Sequence, residues 1–256
     1  MELMFDEQLA IKYKSASQRA RVLTENWVDK SVFCPNCGRI DINKYPNNQP
    51  VADFFCSNCK EDYELKSKQH SIGTKILDGA YRTKIERLRS DSNPNLFVLN
   101  YHLQNLSVLN FFVIPKHFFV PGIIEKRKPL AASARRAGWI GSNILLQKIP
   151  RIGKIFLVRQ QQVESKEKVL AEWKKTLFLR EEKEISARGW LLDIMRCVEK
   201  IGKHEFTLND VYEFESELGI LHPDNKHIKD KIRQQLQVLR DKGYLDFVSR
   251  GYYRLA

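Results

Sequence analysis

Four of the five cysteines stand in two CxxC pairs, Cys34 with Cys37 and, eighteen residues on, Cys56 with Cys59. That spacing fits the template of two CxxC pairs about 15–20 residues apart, in which four thiolates close a tetrahedron around zinc. A site with no open coordination position is structural. Cys197, beside Val198 on a helical pattern, reads instead as a small core residue. The second set is Asp53 followed by Glu64, Leu65 and Lys66. Alternate side chains of a strand share a face, so Glu64 and Lys66 point one way and Leu65 the other. Two carboxylates can hold Mg²⁺, which polarises a phosphate and acidifies a bound water, while a lysine positions that water or steadies the developing charge. Many charged strands carry such a pattern as a merely solvated face, so its context decides.

Asp53 precedes Cys56 by three residues and Glu64 follows Cys59 by five. PVADFF and YELKSK are short strand-like runs on either side of CSNCKED, which predicts a hairpin with a zinc knuckle at its tip. Mixed helical spacing over residues 4–28 predicts one or two helices, and TKILDGAYRTKIERLRS, residues 74–90, predicts another. NLFVLNY, LSVLNFFVIP and KIFLVRQ have strand length and β-branched character, so this part is mixed α and β. Between the last two lies KRKPLAASARRAGWIGSN, a basic loop of functional length. A helix carrying Val169, Trp173 and Leu177 then runs into REEKE, which places a boundary near 180–186.

Beyond it, residues 187–201 put Trp190, Leu191, Ile194, Val198 and Ile201 on one face. Thr207 is the expected N-cap of a second helix. A third starts near Asn225, with Ile228, Ile232, Leu236 and Leu239 on one side and Lys226, Lys229, Arg233, Gln237 and Arg240 on the other. GYLDFVSRGYYRLA closes the chain as two strands about a turn. Three helices and a hairpin make a winged helix-turn-helix, with the third helix the candidate groove reader.

Length and charge fit this division. The 256 residues exceed one typical domain, and 43 Lys and Arg against 31 Asp and Glu leave a formal charge of +12 that attracts polyanions. The N-terminus has neither a signal-peptide pattern nor a membrane span, and no segment approaches about 18 apolar residues. The expected location is the cytoplasm, where clustered cysteines ligate metal rather than form disulfides. A zinc-bearing winged-helix transcription regulator without catalysis would share these features, as would an RNA-binding module preferring single strands or A-form helices.

PVADFFCSNCKEDYELKSK resembles the catalytic core of the PD-(D/E)XK nucleases, although Pro50 and Asp53 are separated by two residues. Over essentially the full length the chain is similar to the DpnI-type methyl-directed restriction endonucleases. YKSASQRARVLTE, CPNCG, the core just quoted, RKPLAASARRAGWIG, FLVRQ and HIKDKIRQQLQVLRDK run in the same order. The resemblance implies a mixed α/β PD-(D/E)XK domain over 1–182 with a four-cysteine zinc site, and a winged-helix domain over 183–256. It implies catalysis by Asp53, Glu64 and Lys66, magnesium on Asp53 and Glu64, and zinc on Cys34, Cys37, Cys56 and Cys59. The implied substrate is double-stranded DNA with N6-methyladenine in GATC, cut by a monomer. Trp139 falls where an indole lies against the methylated adenines, a face suited to N6-methyl groups. Arg135 and Arg136 would contact phosphates or guanine edges. Lys226, Lys229, Arg233, Gln234 and Gln237 are the base and phosphate candidates of the winged helix, and Arg250 the backbone candidate of the wing.

Overall fold

The computed structural model describes residues 1–46, 52–90 and 92–256. Pro50 and Val51, the start of the first expected strand, lie outside the described residues. The chain forms two compact units, Met1–Gln147 with Ile152–Leu177, and Lys148–Arg151 with Phe178–Ala256. They part just before α4 (Phe178–Glu181), whereas the expected division follows residue 182.

The first unit runs α1 (Ala16–Ser31), β1 (Asn43–Lys44), β2 (Phe54–Phe55), β3 (Asp62–Lys68), β4 (Lys75–Ala80), α2 (Tyr81–Arg89), β5 (Asn95–His102) and β6 (Ser107–Ile114). It continues through β7 (Ile124–Lys126), β8 (Gly141–Leu145), β9 (Ile155–Arg159), β10 (Gln162–Val163) and α3 (Lys166–Thr176). Its main sheet has the order β1-β2-β3-β5-β6-β9-β10. The β3–β5 pair is parallel, with Glu64 opposite Leu96 and Lys66 opposite Val98. Leu96, Phe97, Val98 and Leu99 are all buried, so β5 is covered on both faces, as a strand in parallel pairing requires. Leu23, Trp27 and Val28 of α1 and Val169 and Trp173 of α3 join one core cluster with Phe97, Leu99 and Phe111. Burial of each such large side chain contributes about 1.5–3 kcal/mol.

One expected element is different. Only the second half of residues 74–90 is helical; Lys75–Ala80 is a strand in a separate sheet of order β4-β8-β7. Ile76 pairs with Ile144 and Asp78 with Ser142, and the register shifts between Asp78 and Ala80. The alternation of burial along KILDGA is that of a strand, and Gly79 sits at the bulge. Tertiary pairing with β8 overrides a helical propensity that Gly79 already weakens by about 1 kcal/mol.

The second unit holds α5 (Ile185–Ile201), β11 (Glu205–Thr207), α6 (Leu208–Tyr212), α7 (Glu215–Leu221), α8 (Ile228–Asp241), β12 (Leu245–Ser249) and β13 (Tyr252–Leu255). Thr207 caps α6 through a capping box: its Oγ1 accepts from Asp210 N at 3.1 Å, and Asp210 Oδ2 accepts from Thr207 N at 2.6 Å. The single expected second helix is two, α6 and α7. A short strand, β11, is also unanticipated; it pairs with β13 to give the order β11-β13-β12. Three residues carry too little periodicity to be read, and their partner lies some forty-five residues away. Among the described residues no helix is long and apolar enough to cross a membrane.

Candidate active site and metal centre

The cysteine pairs occupy two similar turns. Cys34 N donates to Arg39 O at 2.8 Å and Gly38 N to Cys34 O at 2.8 Å; Cys56 N donates to Glu61 O at 2.9 Å and Lys60 N to Cys56 O at 2.9 Å. Each turn needs a residue at positive φ, Gly38 at 76° and Lys60 at 60°. The four sulfurs all lie within 4.8 Å of one another, with Cys34 and Cys59 3.5 Å apart and Cys37 and Cys56 3.6 Å apart. Sulfurs at the corners of a Zn–S₄ tetrahedron stand about 3.8 Å apart, so the cluster has the dimensions to hold a metal ion such as zinc. Burial pushes the Cys34 thiol up, while at Cys37 hydrogen bonding led by Asn58 outweighs burial and brings the thiol down to about 7.

The second turn joins β2 to β3, which pair antiparallel through Phe54 and Tyr63 and through Phe55 and Asp62. Glu61, buried at the end of that turn, accepts from Asn95 Nδ2 at 2.8 Å and lies 3.3 Å from Lys116 Nζ. Those contacts fix the hairpin to β5 and its neighbourhood. Asp53 leads into β2: its N–H donates to Tyr63 O at 3.0 Å, and its Oδ2 accepts from Leu65 N at 2.7 Å. Asp53 is thus locked to the strand that carries Glu64 and Lys66.

Glu64 and Lys66 share a face, with Glu64 Oε1 2.6 Å from Lys66 Nζ, and Leu65 packs toward the core. With Asp53 and with Arg21 and Glu25 of α1, they line a cleft of ≈ 810 Å³. Burial first, then the charges of Glu64 and Glu25, raises the Asp53 carboxyl above its ordinary range, against the Leu65 N–H that favours the anion. Paired carboxylates with an all-oxygen donor set are suited to a hard divalent cation, which would offset that repulsion. Glu25 is otherwise held by Arg21 at 2.6 Å and Lys44 at 2.7 Å.

Besides Arg21 and Glu25, two charged groups here went unnoticed in the sequence. Asp78 of β4 reaches Lys66 Nζ at 3.1 Å, and Lys84 of α2 lies 3.1 Å from Asp78 and 3.5 Å from Glu64. Burial would lower the Lys66 ammonium pKa, but Glu64 and Asp78 outweigh it and raise it. At Asp78 burial is outweighed by Lys84 and Lys66, which bring the carboxyl down to about 2. The signal that could have found Asp78 is the period-2 alternation of KILDGA around its glycine.

Trp139, Arg135 and Arg136 are not among the residues lining that cleft. They sit on the loop between β7 and β8, which backbone bonds organise: Arg127 N donates to Gly141 O at 3.0 Å, Leu130 N to Trp139 O at 3.0 Å and Trp139 N to Arg136 O at 3.1 Å. The Arg136 guanidinium covers the indole ring at 4.5 Å. Gly141 lies so close that a Cβ there would meet Trp139 Cζ3 at 2.7 Å.

The sequence profile of the Dam-replacing (DpnI) family matches residues 1–182. The chain belongs to that family. The profile of the Dam-replacing helix-turn-helix domain matches residues 186–255. Membership makes the chain a restriction enzyme of the DpnI type, and the second domain makes it a DNA-binding one. In the Dam-replacing helix-turn-helix domain, Lys229, Arg233, Gln234 and Gln237 lie exposed along α8, with Ile232, Leu236 and Leu239 buried behind them. Lys226 precedes the helix and Arg250 is exposed in the β12–β13 turn. Lys229 lies 3.3 Å from Glu215, while Arg233 pairs with Asp230 and donates to Tyr212 Oη at 3.1 Å. Phosphate contacts by either cation would exchange these internal partners.

Proposed function

We propose that this protein is a magnesium-dependent, methylation-dependent restriction endonuclease that hydrolyses phosphodiester bonds of double-stranded DNA at adenine-methylated 5′-GATC-3′. It acts as a monomer in the cytoplasm, with catalysis in residues 1–182 and a second DNA-reading surface in 183–256. The observation that carries the reading is the convergence of Asp53, Glu64 and Lys66 on one cleft, through a hairpin tied off by the four-cysteine cluster. Cys34, Cys37, Cys56 and Cys59 would hold a structural zinc ion.

Asp53 and Glu64 would hold magnesium, which when bound polarises the scissile phosphate and acidifies a water. Asp53 keeps its place through the Leu65 N–H. Lys66 presents a positive charge at the cleft wall, where it can orient the attacking water and stabilise charge developing on the phosphate. In the reading of the mark, Trp139 offers an aromatic face to the N6-methyl groups, and Arg135 and Arg136 bind phosphates or guanine edges. On the winged helix, Lys226, Lys229, Arg233, Gln234 and Gln237 bind bases and phosphates, and Arg250 binds the backbone.

The test is digestion of matched plasmids, with and without adenine methylation at GATC, in magnesium buffer, followed by sequencing of the ends. Cuts confined to methylated GATC are expected. Equal cutting of both plasmids removes the methyl-reading claim, and binding without any cutting removes the nuclease.

Gly141→Val tests the methyl-reading role of Trp139, because the added branch collides with the indole. The preference for methylated over unmethylated duplex, measured by titration of labelled DNA, is expected to fall roughly tenfold, about the loss of one good aromatic contact. An unchanged ratio would release Trp139 from that role.

A further inference from the structure

Among the described residues Lys66 pairs with two carboxylates, which have different surroundings. Glu64 lines the cleft, whereas neither Asp78 nor Lys84 is among the cleft-lining residues. The Asp78 side chain is 4% exposed and that of Lys84 5%. Around them the charges alternate: Glu64 Oε1 to Lys66 Nζ at 2.6 Å, Lys66 Nζ to Asp78 Oδ1 at 3.1 Å, Asp78 Oδ2 to Lys84 Nζ at 3.1 Å, and Lys84 Nζ back to Glu64 Oε2 at 3.5 Å. Two lysines and two carboxylates close a ring of zero net charge. The bulge at Gly79 aims Asp78 into it, with Ser142 Oγ donating to Gly79 O at 3.0 Å, and the Phe119 ring lies 5.3 Å from Lys84 Nζ.

A divalent cation on Glu64 would take over the carboxylate that now holds Lys66. Lys66 is then a flexible four-carbon ammonium facing an open cleft, held by Asp78 alone. We propose that Asp78, itself braced by Lys84, is the positioning residue for Lys66: it keeps the ammonium at the reacting phosphate when Glu64 turns to metal. This rests on the nuclease reading above. Asp78 touches neither metal nor DNA in this scheme; it acts through Lys66.

The experiment compares full-length wild type, Asp78→Asn, Asp78→Glu and the double variant Asp78→Asn/Lys84→Met. The double variant removes both buried charges together and so leaves no unpaired ammonium should Asp78→Asn unfold. On methylated plasmid with magnesium, kcat is expected to fall about 10–100-fold in Asp78→Asn and in the double variant, with KM for DNA unchanged and partial recovery in Asp78→Glu. In metal-free buffer, acylation of the Lys66 amine by acetic anhydride, followed by mass spectrometry, is expected to run several-fold faster in both variants than in wild type. Wild-type kcat and wild-type Lys66 acylation in a folded variant overturn the proposal. Loss of KM together with kcat also overturns it, since that marks a general structural defect. A wild type that binds DNA without cutting it defeats the nuclease reading instead, and the acylation comparison still decides whether Asp78 holds Lys66.

Discussion

Lys66→Ala is expected to lower single-turnover cleavage of methylated GATC plasmid by at least about 10³-fold while leaving DNA binding within about twofold of wild type. Removing one preorganised group that stabilises transition-state charge typically costs about 10²–10³ in rate, and in the proposed mechanism the same ammonium also orients the attacking water. The neighbouring cations are engaged elsewhere: Lys84, 3.5 Å from Glu64, is buried and is not among the cleft-lining residues, Lys68 Nζ donates to Ile72 O and Lys75 O, and Arg21 is paired with Glu25. Binding persists because the substitution leaves β3 hydrogen-bonded to β2 and β5. The electrostatics add a second, opposite sign. Glu64 and Asp78 then share a single lysine, so the wall of the cleft gains one negative charge. Affinity for a divalent cation should therefore hold or increase as cleavage is lost. Calorimetric titration with Ca²⁺, alongside gel-shift and quench-flow measurements, separates the effects. Cleavage at the wild-type rate would clear Lys66 of a catalytic role, and weakened cation binding would mean that the Lys66–Glu64 pair organises the site rather than competing with the ion.

The other large effect concerns the cysteine cluster. Cys34 and Cys56 are fully buried, and with Cys37 and Cys59 they form a four-sulfur cluster that joins the segment after α1 to the β2–β3 turn. Structural zinc in such sites contributes about 10–16 kcal/mol of apparent binding free energy, comparable to or larger than the roughly 5–15 kcal/mol net stability of a whole domain. Cys56→Ser is therefore expected to leave the first unit unfolded and inactive. The second unit has a core of its own, with Leu191, Ile194, Phe206, Leu236 and Leu239 buried, and is expected to keep its own melting transition. Elemental analysis should give one zinc per wild-type chain and none in the variant, and calorimetry should show the first unit's transition abolished. A zinc-free Cys56→Ser protein that melts like wild type would end the structural-zinc assignment.

Much of this architecture was legible because it is local. The CxxC spacing names a metal set within twenty-six residues, and the two flanking runs name the hairpin that carries Asp53 and Glu64. Period-2 alternation places Glu64 and Lys66 on one face whatever the strand's neighbours, and the 3.6-residue repeat of Ile228, Ile232 and Leu236 separates the buried from the exposed side of α8. The N-cap at Thr207 is likewise local. These features depend on covalent spacing and backbone geometry alone.

What stayed hidden depends on partners distant in the chain. KILDGA reads as the start of a helix until β8, some sixty residues on, supplies its ladder of hydrogen bonds. Misreading it concealed Asp78, and with it Lys84 on the helix that follows. Glu25 lies on α1 with nothing local to mark it, and only packing of that helix against the sheet brings it to the cleft wall. The sequence by itself therefore determined which residues could bind metal and that Glu64 and Lys66 could share a face. Only the tertiary structure decided what else surrounds Lys66, because the second carboxylate that holds it arrives from another sheet, and a charge's partner is set by distance through space rather than along the chain.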